Sequence, residues 1–163
     1  MTGPVGRALL PAAQAAVLVV LLAGAWAAGS PDDLGRAGRA LTVVCPGGTE
    51  SPGPWPGSYY GLPLLGLLAT ATALCACTLR RIVLTTADDG PGLRQRARTV
   101  TAAWGFLVTT PLAGASLFMS VAMRSISCLD GPAHVLAWTL TALTPLAAIS
   151  AVWCLTAMIP TRR

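Results

Sequence analysis

The chain has 163 residues, of which 54% are apolar and only 10% charged, against about 25% charged in an ordinary globular domain. With a mean hydropathy of +0.66 and its apolar residues gathered in long blocks, it reads as neither a disordered tail, a secreted disulfide scaffold nor a soluble enzyme. The composition predicts an all-α integral membrane protein, a four-helix transmembrane bundle forming a single domain over residues 1–163.

The first apolar block, Ala8 to Ala28, reaches about 31 Å at ~1.5 Å per residue and matches a hydrocarbon core. Arg7, the apolar run and Ala25-Trp26-Ala27 also resemble a signal peptide. The run exceeds the usual ~7–15 residue signal core, so the expectation is an uncleaved span.

The loop over residues 30–58 opens with Ser30-Pro31-Asp32-Asp33, a cap followed by acids at a helix start. Leu34, Ala37, Leu41 and Val44 recur at helical spacing and predict a short surface helix, which Gly35 and Gly38 weaken. From Pro46 to Gly57 come four prolines and four glycines, a composition that argues against regular structure and favours a tight cover.

The second block, residues 59–79, stops at Arg80-Arg81. In the connection over residues 80–99, Asp88-Asp89-Gly90-Pro91 reads as a turn into a third helix that begins before the membrane. Arg94, Arg96 and Arg98 would ride that extension, and together with Arg80 and Arg81 they are expected to contact lipid phosphates or a partner. The third block, residues 100–123, stops at Arg124; a connection over residues 124–133 leads to the fourth, residues 134–159, which ends before Arg162-Arg163.

The net charge of +5 arises from arginines alone on the basic side, since no lysine occurs. Arg7, Arg80, Arg81, Arg94, Arg96, Arg98, Arg162 and Arg163 fall on one side of the spans; Arg36, Arg39 and Arg124 fall on the other. That asymmetry predicts cytoplasmic termini and extracytoplasmic loops around Ser30–Ser58 and Ser125–Ala133. The lysine-free, alanine-rich usage is associated with GC-rich bacterial genomes, so a bacterial plasma membrane is the expected location. Trp26, Trp55, Tyr59, Tyr60 and Trp138 fall near the outer boundary and predict an aromatic belt, with Trp104 and Trp153 nearer the inner side.

Topology sorts the five cysteines. Cys45 and Cys128 occupy the two outer connections, on the oxidising side, and predict a structural disulfide. A quinone-linked thiol oxidoreductase of the four-helix kind, as in the disulfide-forming and vitamin K epoxide reductase families, shares this size and span count. Such enzymes depend on a Cys-x-x-Cys pair, and this chain has none. Cys75, Cys77 and Cys154 lie within the spans. Met158 lies one turn beyond Cys154, so a soft-metal site can be drawn, but residues two apart on a helix point ~200° apart. Packing explains the same thiols.

No acid, histidine or arginine falls in mid-span, which disfavours a proton-coupled carrier. His134 reads as an interfacial residue rather than a ligand. Ala69, Thr70, Thr72, Ser116, Thr144 and similar small or hydroxyl residues suit close helix packing or a polar path, and Pro63, Pro111 and Pro145 suit kinks. The basic loop lacks aromatic stacking partners for nucleic acid, and no cofactor or metal motif occurs. The expected role is a non-catalytic accessory, scaffold or regulatory subunit, embedded in lipid, with a membrane-protein partner or as a homo-oligomer. The alternative is a small oligomeric transporter or channel with a hydroxyl-lined path.

Overall fold

A computed structural model describes residues 4–85 and 91–159. The Asp88-Asp89-Gly90 turn and Arg162-Arg163 lie outside the described residues. The chain is mostly helical, with helix α1 at Pro4–Ala28, α2 at Ser58–Thr85, α3 at Pro91–Arg124 and α4 at Pro132–Met158. All four are long and apolar enough to cross a membrane. A short antiparallel ribbon of β1, Val43–Cys45, and β2, Gly48–Glu50, interrupts the helical pattern between α1 and α2.

Each helix is longer than the apolar run that announced it. Helix α3 opens on Pro91, whose missing N–H is one of the donors that a helix start leaves unpaired in any case. Each of the four also continues through one internal proline: Pro11, Pro63, Pro111 and Pro145.

Helix α3 is the shared core element. It packs against α1, α2 and α4, whereas α2 touches α3 and α1 but not α4. Half of the apolar window of α3 is buried, against 6% of that of α2. Leu18 and Leu22 from α1, Leu112 and Ala115 from α3, and Ala147 from α4 form the middle of the core. Near one end Gly105 is the contact point of three helices. A Cβ added there would stand 2.9 Å from the Cys154 sulfur and 3.4 Å from Cβ of Pro11, so the absence of a side chain is what lets α1 and α4 close on α3.

In surroundings as apolar as the core, apolar burial would drive helix association little, and packing and polar contacts between helices would count for more. Among the described residues, three side-chain hydrogen bonds tie the helices. Gln14 of α1 donates to Ser150 of α4 at 3.0 Å, Trp104 of α3 donates to Thr72 of α2 at 3.0 Å, and the Ser116 and Thr144 hydroxyls of α3 and α4 lie 3.1 Å apart. Within a bilayer each would be worth about 0.6 kcal/mol. Thr109, Ser116 and Ser120 are the buried polar residues of the core. All three hydroxyls donate to carbonyls of their own helix, at Gly105, Leu112 and Leu117.

The thiols in the helices separate. Cys154 packs on Gly105, Cys77 is exposed and Cys75 half-buried. Helices α2 and α4, which carry Cys75 and Cys154, do not meet among the described residues.

Candidate functional site

Two regions stand out at opposite ends of the bundle: a folded loop that caps one end, and a basic helical hairpin that projects from the other.

The cap starts where α1 stops. Its first half is a closed loop and not the expected surface helix. The Ser30 N–H donates to the Ala40 carbonyl at 2.8 Å, and the Arg39 and Ala40 N–H groups both donate to the Ser30 carbonyl at 3.1 Å. Within the loop, the Asp32 carboxylate accepts the N–H of Leu34 at 3.1 Å and of Arg36 at 2.9 Å. An aspartate offering its side chain to nearby N–H groups competes with helical bonding, and Gly35 and Gly38 take positive φ values of 74° and 71° that end any helical run. The amphipathic spacing was real, but the local hydrogen bonds outweighed it.

Asp32 also pairs with Arg36 at 2.8 Å. The Arg36 guanidinium bond holds the Asp32 carboxyl below its ordinary range, helped by the backbone N–H donors. Arg39 lies 3.7 Å from the same carboxylate, donates to the Tyr60 hydroxyl at 2.6 Å, and stacks over the Tyr59 and Tyr60 rings at 4.8 and 5.3 Å. This group pins the loop to the first turn of α2.

The second half of the cap contains the β1–β2 ribbon, with Cys45 opposite Gly48, in a stretch whose prolines and glycines argued against regular structure. Pro46 and Gly47 form its turn, and Gly48 takes a φ of 133°. Proline and glycine that exclude long elements suit a two-residue connection well.

Two ties then cross to the α3–α4 connection. Cys45 and Cys128 form a disulfide with Cα atoms 5.7 Å apart, as expected. One residue away, Ser127 donates its N–H to the Glu50 carboxylate at 2.8 Å and its hydroxyl to the other carboxylate oxygen. The ribbon is therefore held at consecutive residues, covalently at Cys128 and by a two-donor grip at Ser127.

Trp55 provides the third attachment, and it departs from expectation. Instead of joining an aromatic belt it is 3% exposed and packs with Ala25, Met119, Ala122, Met123, Ala137 and Leu140. Its indole N–H donates to the Ala25 carbonyl at 2.8 Å. That carbonyl belongs to the last turn of α1, where helix geometry leaves acceptors without a partner. Trp26, Tyr59 and Trp138, by contrast, are about half exposed at this end of the bundle. Trp138 donates to His134 at 3.0 Å and lies under Arg124, 4.4 Å from its ring centroid.

The cap also needs two glycines. A Cβ on Gly57 would overlap the Gly38 carbonyl, and one on Gly38 would overlap Ser58. The two loop halves thus touch backbone to backbone.

Glu50 is expected to make the cap sensitive to acid. The Ser127 hydroxyl and then its N–H hold the carboxyl below its ordinary range. A group whose folded pKa is depressed stabilises above its unfolded value and loses that contribution as pH falls through the folded value. The Ser127 amide is therefore expected to exchange with solvent faster in mild acid than at neutral pH, after correction for intrinsic exchange. Glu50→Gln should exchange at the faster rate throughout. A flat profile in the native protein would show that the grip carries no free energy.

At the other end, the Trp104–Thr72 bond sets the register of α2 against α3. Arg80 lies eight residues on from Thr72, and Arg96 eight back from Trp104, so the two are level. Arg94 and Arg98 fall within two residues of that level, about 3 Å along the axis. Arg80, Arg81, Arg94, Arg96 and Arg98 are all exposed and form a belt around the hairpin. The Gly105 contact with Pro11 and Cys154 places Pro4 level with residue 98 and Met158 near residue 101. Helix α3 therefore starts about ten residues, ~15 Å, beyond the level at which α4 ends.

Among the described residues, no group of three or more histidine, cysteine or acidic side chains could hold a metal. The fold and its two ends define a class: a mostly helical chain with four helices of membrane-spanning length and one loop cap locked by a disulfide. Comparison with protein-family models, curated proteins and solved structures gave no match.

Proposed function

We propose that this chain is a non-catalytic polytopic membrane subunit, acting as a scaffold, accessory or regulator of another membrane protein. The observation that carries the reading is the exposure of α2: a helix of membrane-spanning length with 6% of its apolar window buried leaves most of its surface for lipid and a neighbouring helix. Ala69, Thr70, Ala73 and Cys77 are exposed on it, and small side chains allow close helix approach. The arginine asymmetry supports cytoplasmic termini in a bacterial plasma membrane, with the cap outside and the hairpin belt of Arg80, Arg81, Arg94, Arg96 and Arg98 at the level of inner-leaflet phosphates.

Purification of the native protein in mild detergent tests this. A stoichiometric membrane-protein partner is the expected result. Several copies of this chain alone, enclosing a hydrated interior, would favour an oligomeric transporter or channel. Reporter fusions after Ser51 and after Arg163 should fall on opposite sides of the membrane, and reporters on the same side would refute the topology.

A further inference from the structure

Two cavities adjoin where the cap meets the first turns of α2. The larger is an open groove of about 580 Å³, lined by Arg36 and Ala37 from the loop and by Ser58, Tyr59, Leu62 and Pro63 from α2. The smaller is a cleft of about 380 Å³ whose polar lining comes from Asp32, Asp33, Arg39, Ser51 and Tyr60. One ion pair separates them: Asp32 lines the cleft, Arg36 lines the groove, and the two lie 2.8 Å apart. Arg39, also of the cleft, covers the Tyr59 ring of the groove at 4.8 Å.

The membrane reading above puts these groups at headgroup level, because the apolar stretch of α2 begins at Ser58 and opens with two tyrosines. Leu62 and Pro63 lie about one turn deeper, at the start of the acyl region, and Leu62 is 51% exposed. Deeper again, a Cβ built on Gly66 would meet nothing within 4 Å, so that position of α2 stays open below the groove. A soluble ligand is usually buried over 70–90% of its surface. An open apolar groove with charge at its upper rim suits instead a lipid whose second chain remains in the bilayer.

The charges select the headgroup. Those lining the two cavities are Asp32, Asp33, Arg36 and Arg39, two of each sign. Glu50, the remaining charge of residues 30–58, is held by Ser127 and lines neither cavity. A simple anion would gain Arg36 and meet two carboxylates, whereas a phosphate joined to an ammonium matches the row of charges at both ends. Arg36 gives Nε and Nη2 to Asp32, which leaves Nη1 for a further acceptor. The Asp33 carboxylate accepts no hydrogen bond among the described residues. We infer that groove and cleft together hold one phosphatidylethanolamine from the leaflet on the cap side. Its phosphate meets Arg36, its ammonium meets Asp33 and Asp32, and one acyl chain lies along Leu62 and Pro63. An ammonium keeps three N–H donors for carboxylates; a choline headgroup has none.

The test is native mass spectrometry of the full chain, released from nanodiscs that hold dioleoyl lipids with ethanolamine, glycerol and choline headgroups in equal amounts. One retained lipid is expected, with ethanolamine preferred severalfold over the others. Arg36→Gln should lower retention about tenfold or more, as loss of a charge-assisted hydrogen bond implies. Ala37→Phe, which fills the groove from an exposed position, should do the same without altering the ion pair. Asp33→Asn should bring ethanolamine down to the level of choline. Each variant must keep the disulfide and the elution volume of the native protein, and if Arg36→Gln loosens the loop the other two decide. No retained lipid, equal retention of the three headgroups, or indifference to these variants would overturn the proposal. So would retention of the glycerol lipid that is lost with Arg94→Gln, Arg96→Gln and Arg98→Gln, which would place the lipid on the belt at the other end. The inference rests on the membrane reading, but the two fail differently. A chain that stays monodisperse without detergent or lipid refutes that reading, whereas one that needs them and retains no lipid refutes this site alone.

Discussion

Replacing Cys45 and Cys128 together by serine is expected to free the cap while leaving the four helices packed. The bond joins residues 83 apart in sequence, and closing such a loop in a free chain is worth about 4–5 kcal/mol by the chain-entropy model. The true loss is smaller, since helices already packed on α3 confine the unbridged loop. Hydrogen exchange should show the change first over Val43–Glu50, because β1 and β2 have few other attachments, and the thermal midpoint should fall. The Glu50–Ser127 grip should not compensate, as a single carboxylate near the surface cannot replace a covalent tie. An unchanged midpoint together with unchanged ribbon protection would show that the disulfide is incidental to the cap.

Trp55→Ala is expected to be the most destabilising single substitution in the cap. Removing a buried tryptophan side chain costs about 3–5 kcal/mol where the site cannot collapse, and Trp55 belongs to one buried cluster with Met119, Ala122, Met123 and Leu140. The substitution also leaves the Ala25 carbonyl without its indole donor. Trp55→Phe keeps most of the packing and removes the donor, so it should cost about 1–2 kcal/mol. Chemical denaturation in detergent, followed by tryptophan fluorescence for the native protein and circular dichroism for the variants, separates the two. Equal losses for Ala and Phe would mean that the hydrogen bond, rather than the packing, holds the cap down. Because Trp55 and the disulfide attach the same loop, their effects should not add. Combining them tests whether the cap detaches as a unit.

The Asp32 loop shows where reading by periodicity ended. Apolar residues at Leu34, Ala37, Leu41 and Val44 have helical spacing, but a carboxylate placed to accept two backbone N–H groups makes a loop the better local solution. Glycines at Gly35 and Gly38 pointed the same way. Trp55 was misplaced for another reason. A tryptophan between two prolines near a span boundary suits an interfacial belt, and only the return of the loop over α3 and α4 turns it inward. Glu50 gave no signal at all, because its partner Ser127 lies 77 residues away.

What the sequence determined by itself was the set of long helices and the pairing of Cys45 with Cys128. A helix satisfies its backbone bonds within itself, so an apolar run of sufficient length announces one without reference to the rest of the chain. The disulfide followed because the order of the apolar blocks leaves those two cysteines in the connections at one end of the bundle. Tertiary structure alone decided that α3 is the central helix, that α2 stays open, that the ribbon and Trp55 seal one end, and that arginines from two helices come level at the other. These depend on which helix faces meet, and contacts such as Gly105 with Cys154 or Thr72 with Trp104 join residues 49 and 32 positions apart. Local spacing carries no record of such contacts, since they arise only when separate helices are brought together.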